Sequence, residues 1–156
     1  MQNIQYRIVQ PAQADRDACV ALIAAGGEVE TENLAICVAN AHTLGVAYDG
    51  AQLVGVAAIK QPERTYLARL REKSEANLDE ASLELGWVVT DEPYQRRGIA
   101  RTLIALLTAI DVAMPLFATT RHAHVKHLLR QHGFVEGGTP YTTERSPIPL
   151  SVFVRA

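Results

Sequence analysis

The stretch of sequence that decides the fold spans residues 87–100 and reads WVVTDEPYQRRGIA. Its apolar, β-branched beginning is typical of a strand, which Asp91, Glu92 and Pro93 end. The apolar residues after Gly98 recur at helical spacing, which predicts a helix over residues 98–110. A strand, a short turn and the start of a helix therefore follow one another directly.

This junction favours an anionic ligand. Backbone N–H groups at a helix N-terminus lack intrahelical acceptors, and the aligned peptide dipoles add a partial positive charge. Gly98 allows a phosphate to approach the backbone closely, and Ala100 is small enough to lie beside it. Arg96, Arg97 and Arg101 add cationic partners. The alternative is an ordinary strand–loop–helix junction with solvated arginines.

Apolar periodicity predicts the remaining elements. A strand over residues 4–8 precedes a helix over 13–25, which Gly26 and Gly27 end, and a second helix that Thr31 caps. A hairpin follows over residues 44–59, then strands over 83–89 and 114–119, a helix over 123–131, and strands from Phe134 and over 148–154. Residues 61–77 are interpreted as an exposed helical segment or a solvated spacer, and residues 140–149 as a proline-rich connection.

Length and composition limit the class of protein. A chain of 156 residues that is 48% hydrophobic fits one domain, residues 1–156. A formal charge of −2 provides no global field for nucleic acid or an anionic membrane. We expect no secretory signal and no membrane span, because the beginning lacks an apolar h-region and charges interrupt residues 99–116. Cys19 and Cys37 lie in apolar helical stretches, which favours reduced thiols and a cytoplasmic location.

Three motifs resemble those of the GNAT superfamily of N-acetyltransferases. Residues 95–100, QRRGIA, are similar to its Gln/Arg-x-x-Gly-x-Gly/Ala signature. Residues 84–89, ELGWVV, resemble the strand before that signature, and residues 128–134, LLRQHGF, resemble its late helix ending in Gly-Phe. The resemblance implies an α/β (α+β) fold with a central mixed, mostly antiparallel, splayed sheet of six to seven strands and about four helices.

The resemblance also implies acetyl-CoA as cosubstrate, without a metal. The pyrophosphate would bind the backbone amides of residues 95–101, and the pantetheine arm would pair with the preceding strand as a pseudo-strand. The residues that would hold the coenzyme are Trp87, Val88, Val89, Gln95, Arg96, Arg97, Gly98, Ile99, Ala100, Arg101 and His122.

Acyl transfer to an amine needs a base for the amine proton and a donor for the oxyanion. Glu84 occupies the position at which the histone-acetyltransferase branch of the family carries its glutamate, and is the candidate base. The resemblance implies that the backbone N–H of Val89 or Val88 is the oxyanion donor. The alternative is that Glu84 is a structural carboxylate, hydrogen-bonded to the sheet or a neighbouring loop.

Two positions depart from the family pattern. Leu129 stands where many members carry a tyrosine that protonates the coenzyme thiolate; Tyr94, Tyr141 or a water would have to replace it. His122 stands where an asparagine usually contacts pantetheine. The histidines near it are interpreted as a polar helix face rather than a metal site.

The function that these motifs predict is acetyl transfer to a primary amine of an unidentified small molecule or protein, by direct attack in a ternary complex. The acceptor would enter between the second helix and residues 61–77 and 140–149. Family members often dimerise through their last strands, so a homodimer is also expected. The alternative is a catalytically weak or inactive acyl-CoA-binding module.

Overall fold

The computed structural model describes residues 3–26 and 31–156. The strands are β1 Ile4–Val9, β2 Thr43–Asp49, β3 Gln52–Lys60, β4 Leu83–Thr90, β5 Leu116–Thr120, β6 Val135–Thr143 and β7 Ser146–Arg155. The α-helices are α1 Arg16–Ala25, α2 Leu34–Ala39, α3 Arg64–Ser74, α4 Ile99–Thr108 and α5 Ala123–Gln131. Two 3₁₀ turns lie at Pro11–Gln13 and Glu92–Tyr94.

The strands form one sheet in the order β1, β2, β3, β4, β5, β7, β6. Antiparallel pairing joins β1 with β2, β2 with β3, β5 with β7 and β6 with β7, whereas β4 and β5 pair in parallel. An open, mostly antiparallel sheet accompanied by helices confirms the predicted α/β fold class. The order of elements also agrees with the prediction from the sequence.

The described residues form two compact units. The first unit comprises the described residues up to Lys60 together with Gly86–Asp111. One core lies between α1, α2 and the strands β2 and β3, and its buried members include Cys19, Ile23, Val38 and Val56. Helix α4 packs on β2 and β3 through side chains such as Leu103 and Leu107. This packing fixes the beginning of α4, where the candidate anion site lies.

The second unit comprises Gln61–Leu85 and Val112–Ala156. Helix α3 packs against β6 and β7. Its buried Leu67 and Leu70 share a core with Phe117 of β5 and Val152 of β7. The interpretation of residues 61–77 as a solvated spacer is therefore wrong, because the apolar side of the helix is part of the core.

Two further predictions about local structure need correction. The N-cap of α2 is Asn33, in a left-handed conformation with φ 61°, and not Thr31. The Pro-rich stretch 140–149 is not a connection, because Pro140 lies in β6 and Pro147 and Pro149 lie in β7. Proline is tolerated there since β6 ends the sheet and the pairing of β7 with β5 begins only at Ser151.

Helix α1 begins at Arg16, and its cap is the side chain of Asp15, which accepts a hydrogen bond from the N–H of Ala18 at 3.1 Å. Gly26 follows its last residue as predicted, and Gly27 lies outside the described residues. Both cysteines are free thiols, as expected. Burial raises the pKa of Cys19 to about 11, which suits a core residue. In the described part of the chain, no helix combines the length and apolarity that crossing a membrane requires.

Candidate functional site

The predicted anion-binding loop follows β4 and ends at the start of α4. Gly98 is the N-cap of α4, with φ 81°, and Arg96 also has a positive φ of 65°. The first backbone hydrogen bond of the helix is donated by Thr102 to the carbonyl of Gly98 at 3.0 Å. The N–H groups of Ile99, Ala100 and Arg101 therefore precede the first intrahelical bond, as anion binding at a helix N-terminus requires.

The space beside Gly98 is open. A Cβ atom placed on Gly98 would meet nothing within 4 Å, so the glycine is required by its backbone conformation and not by crowding within the chain. Ile99 is buried and anchors the helix, while Gln95, Arg96, Arg97 and Arg101 are exposed. A ligand could therefore reach both the backbone and the arginines from solvent.

Hydrogen bonds within the first unit hold this loop in place. The N–H of Asp91 donates to the carbonyl of Val54 at 2.8 Å, and the amide of Gln95 donates to the carbonyl of Thr90 at 3.2 Å. The hydroxyl of Tyr94 donates to Asp49. The loop is thus fixed to β3 and to the end of β2.

Tyr94 holds the loop in place through its hydrogen bond to Asp49, and is therefore poorly suited to donate a proton to coenzyme A. Its hydrogen bond to the Asp49 carboxylate raises the pKa of Tyr94. The guanidinium of Arg97 lies 5.2 Å from the centre of its ring. These contacts account for Tyr94 as a structural residue.

The middle of β4 contains an unusual backbone conformation. Trp87 has φ 50°, in the left-handed region that a bulky residue rarely adopts. Such a residue interrupts the regular alternation of a strand, and strained residues of this kind cluster at functional sites. Trp87 is also the first of the three residues to which the resemblance assigns pantetheine binding, before Val88 and Val89.

Two contacts in the first unit hold this part of β4. The ammonium group of Lys60 lies 4.5 Å from the centre of the Trp87 ring. A Cβ on Gly86 would lie 3.0 Å from Cε of Lys60, so the glycine leaves room for that lysine. The side chain of Val89 packs against Gly26, at 3.0 Å from the position of an added Cβ.

Glu84 lies in the part of β4 that belongs to the second unit. It is buried, with 4% of its surface exposed, and its carboxylate accepts a hydrogen bond from the hydroxyl of Tyr66 at 3.1 Å. Thr119 lies near enough to the hydroxyl of Tyr66 to lower its pKa against the effect of burial. Tyr66, on α3, is thus one hydrogen-bond partner of Glu84.

The environment of Tyr66 keeps its proton in place. Burial and the negative charge of Glu84 raise the pKa of Tyr66 far above its usual range. Tyr66 is therefore a permanent hydrogen-bond donor to Glu84 at any pH at which an enzyme works. Burial also raises the pKa of Tyr141, on β6 of the same unit.

The two departures from the family pattern lie at the N-cap of α5 and within that helix. Leu129 is buried, with 1% exposed, so its position provides no proton donor. His122 is exposed at the N-cap of α5, and its N–H donates to the hydroxyl of Thr120 at 3.1 Å. Among the described residues, no group of three histidine, cysteine or carboxylate side chains is arranged to hold a metal ion.

Sequence reasoning missed Tyr66 and Lys60. Tyr66 could have been found from its position one turn before Leu70 and next to Leu67, on the apolar side of α3. No local pattern in the sequence pointed to Lys60, because its contact is with Trp87 of another strand, β4.

The sequence matches the model of the Acetyltransferase (GNAT) family over residues 14–134, which is most of the chain. The chain therefore belongs to the GNAT acetyltransferase family, which confirms the resemblance inferred from the motifs. Members of this family are acyl-CoA N-acyltransferases. A comparison with curated proteins finds no significant sequence match.

Solved structures share the fold at low sequence identity. An acyl-CoA N-acyltransferase from Pseudomonas aeruginosa is 19% identical, with a TM-score of 0.68 over 99% of this chain and 100% of that one. ElaA from Escherichia coli is 15% identical, with a TM-score of 0.67 over 99% and 100%. The diaminobutyrate acetyltransferase EctA from Paenibacillus lautus, solved with L-2,4-diaminobutyric acid and coenzyme A, is 14% identical, with a TM-score of 0.64 over 98% and 95%.

Proposed function

We propose that this protein transfers the acetyl group of acetyl-CoA to a primary amine of a small molecule or protein, by direct attack in a ternary complex. The neutral amine nitrogen attacks the thioester carbonyl, the C–S bond breaks, and coenzyme A leaves as the thiol once its sulfur is protonated. The observation that carries this proposal is the open helix N-terminus at Gly98.

The coenzyme pyrophosphate binds the loop from Gln95 to Arg101. Its negative charge meets the N–H groups before Thr102, the positive end of the α4 dipole and three exposed arginines. Family membership supports this assignment, and so does the neighbour EctA, which was solved with coenzyme A.

The pantetheine arm and the thioester lie along β4. Their hydrogen-bond partners are backbone groups of Trp87, Val88 and Val89, and the N–H of Val89 is the proposed oxyanion donor. His122 donates a hydrogen bond to the arm in place of the usual asparagine. The strained Trp87 supports this assignment, because a break in the regular strand makes peptide groups accessible to a ligand.

Glu84 takes the amine proton as general base. Tyr66 holds the carboxylate in one orientation through the hydrogen bond at 3.1 Å. Because Leu129 carries no ionisable group and Tyr94 is hydrogen-bonded to Asp49, the thiolate takes its proton from solvent water or from Tyr141. The protein then works in the cytoplasm, where acetyl-CoA is available and Cys19 and Cys37 stay reduced.

The test is calorimetric titration with acetyl-CoA, combined with an assay of thiol release over a panel of amines. Gly98→Glu should abolish coenzyme binding, because its carboxylate enters the phosphate site. Gly50→Glu is the matched control, because Gly50 also has a positive φ and open space around its Cβ position. Micromolar affinity retained by Gly98→Glu would contradict the proposal.

The second candidate is a non-catalytic acyl-CoA-binding module. The buried Leu129 favours it, because the usual proton donor to the thiolate is absent from that position. Coenzyme binding without turnover of any amine in the same two assays would support this module and contradict acetyl transfer. A homodimer in solution remains a prediction that sedimentation would check.

A further inference from the structure

Two arginines and two tyrosines lie on the face of the second unit to which Glu84 points. The parallel pairing of Glu84 with Phe117 begins this face on β5. Successive odd-numbered residues of a strand share one face, so Thr119 continues the line from Phe117, and Arg121 follows the last residue of β5. Phe117 packs with Leu67 and Leu70 of α3, which places α3 over the same face.

The side chain of Tyr66 contacts both Arg69 and Glu84. Its guanidinium is 5.8 Å from the centre of the Tyr66 ring, and the hydroxyl at the far end of that ring donates to Glu84. The arginine is exposed, whereas the carboxylate is buried. A cation at the surface and an anion beneath it thus flank the same aromatic ring.

Arg121 is held in a fixed orientation. Its Nε donates to the carbonyl of Ile148 at 3.2 Å, and Nη2 donates to the hydroxyl of Thr143. A guanidinium has five N–H donors, so these two bonds leave donors for a ligand. Two ion pairs among the described residues of this unit, Arg71 with Glu80 and Arg130 with Glu136, involve other arginines.

Tyr66 and Tyr141 both pack against the core formed by Leu67, Leu70 and Phe117. Arg121 is hydrogen-bonded to Thr143, two residues along β6 from Tyr141. The charges of Arg69 and Arg121 lower the pKa of Tyr141 against the effect of burial. Two cations and two tyrosine rings therefore lie in the part of this unit that contains the buried Glu84.

We propose that the acceptor is a small amine that also carries a carboxylate, as an amino acid does. The carboxylate binds Arg69 and Arg121, whose guanidinium groups are complementary to it in charge, and the amine points to Glu84. A polyamine or a simple alkylamine offers no anion and would meet two positive charges. This inference rests on the proposed acetyl transfer, because it names the substrate of that same base.

The test compares amino acids with the amines that they yield on decarboxylation, such as ornithine with putrescine and 2,4-diaminobutyrate with 1,3-diaminopropane. We expect kcat/KM to be higher for the amino acid in each productive pair. Replacement of either arginine, by Arg69→Gln or Arg121→Gln, should lower kcat/KM for the amino acid by roughly 10- to 100-fold, mainly through KM, because a charge-assisted hydrogen bond is lost. Turnover of the decarboxylated amine should change little.

Arg64→Gln is the matched control, because Arg64 is exposed on the same helix. It should leave both substrates unaffected. A preference for the decarboxylated amines, or equal losses for both members of a pair in Arg69→Gln, would overturn the inference while acetyl transfer stands. Failure to turn over any carboxylate-bearing amine, with coenzyme A bound, would also overturn it, whereas failure to bind coenzyme A would overturn the proposed function itself.

Discussion

Glu84 and Tyr66 form the pair on which the proposed chemistry depends at the scale of single residues. A buried carboxylate is costly unless a donor satisfies it, and Tyr66 supplies that donor. Because the pKa of Tyr66 is strongly raised, the tyrosine does not compete for the role of base. The pair therefore assigns proton abstraction to Glu84 and positioning to Tyr66.

Glu84→Gln tests the assignment of the base. The amide retains the shape of the side chain and can still accept from Tyr66, but it cannot take a proton from the amine. We expect kcat to fall by roughly 10²-fold or more, with the affinity for acetyl-CoA little changed, as is usual for loss of a general base. Steady-state kinetics and calorimetry measure the two quantities, and an unaltered rate would show that the base lies elsewhere.

Tyr66→Phe separates positioning from a purely structural role. The variant removes the hydrogen bond that orients the carboxylate of Glu84, so we expect kcat to fall while KM for the amine changes little. The loss in kcat should be smaller than that in Glu84→Gln. Tyr6→Phe, on β1, is the control and should leave kcat unchanged. A lower Tm with an unchanged kcat would indicate a structural role only.

At the scale of elements, the parts that could be predicted are those whose local pattern agrees with their packing. Helix α4 has a strongly one-sided apolar pattern and a glycine before it, so its position follows from the sequence, and the anion site at its start stays a prediction. The burial of helix α3 is harder to predict, because charged residues surround its buried Leu67 and Leu70 in the sequence. The left-handed backbone of Trp87 could not be predicted, because nothing local favours it for a bulky residue.

The prolines illustrate a different limit. Proline usually marks a break, yet Pro147 and Pro149 lie in β7, in the part of the strand before its pairing with β5 begins. Whether a missing N–H matters depends on which neighbour lies beside the strand. Such tertiary information is not contained in the local pattern, which therefore predicts a connection over residues 140–149 where β6 and β7 continue.

The contact between β3 and α4 leads to a prediction at the same scale. A Cβ on Gly55 would lie 2.6 Å from Cγ2 of Ile99, so Gly55→Ala should push away the first residue of α4. We expect a loss of about 1–3 kcal/mol in the free energy of unfolding, the usual cost of overpacking, and weaker binding of acetyl-CoA. Denaturant titration and calorimetry measure both.

Gly45→Ala is the control for that variant. Its Cβ would meet Leu103 and Leu107 at 3.3 and 3.4 Å, farther along α4 than the proposed anion site at Gly98. It should cost less stability and leave coenzyme affinity unchanged. Equal losses of affinity in the two variants would show that binding follows overall stability and not the position of the helix N-terminus.

At the scale of the whole molecule, β4 is the strand that both contact units share. Its first residues, Leu83–Leu85, belong to the second unit, and the residues from Gly86 onwards belong to the first. The proposed base and the proposed oxyanion donor are therefore on one strand but in different units. Unfolding of either unit would disrupt the strand that carries the chemistry, so we expect the chain to behave as one domain.

Thermal unfolding tests this expectation. Fluorescence of Trp87, the single tryptophan, reports on the first unit, and far-UV circular dichroism reports on both units. We expect one transition with the same midpoint for both probes. Coenzyme A at about 100 times its Kd should stabilise the native state by about 2.7 kcal/mol and raise both midpoints together, an effect that Gly98→Glu should abolish. Two separate midpoints, or a rise confined to the tryptophan signal, would mean that the units unfold independently and that binding at Gly98 stabilises only the first.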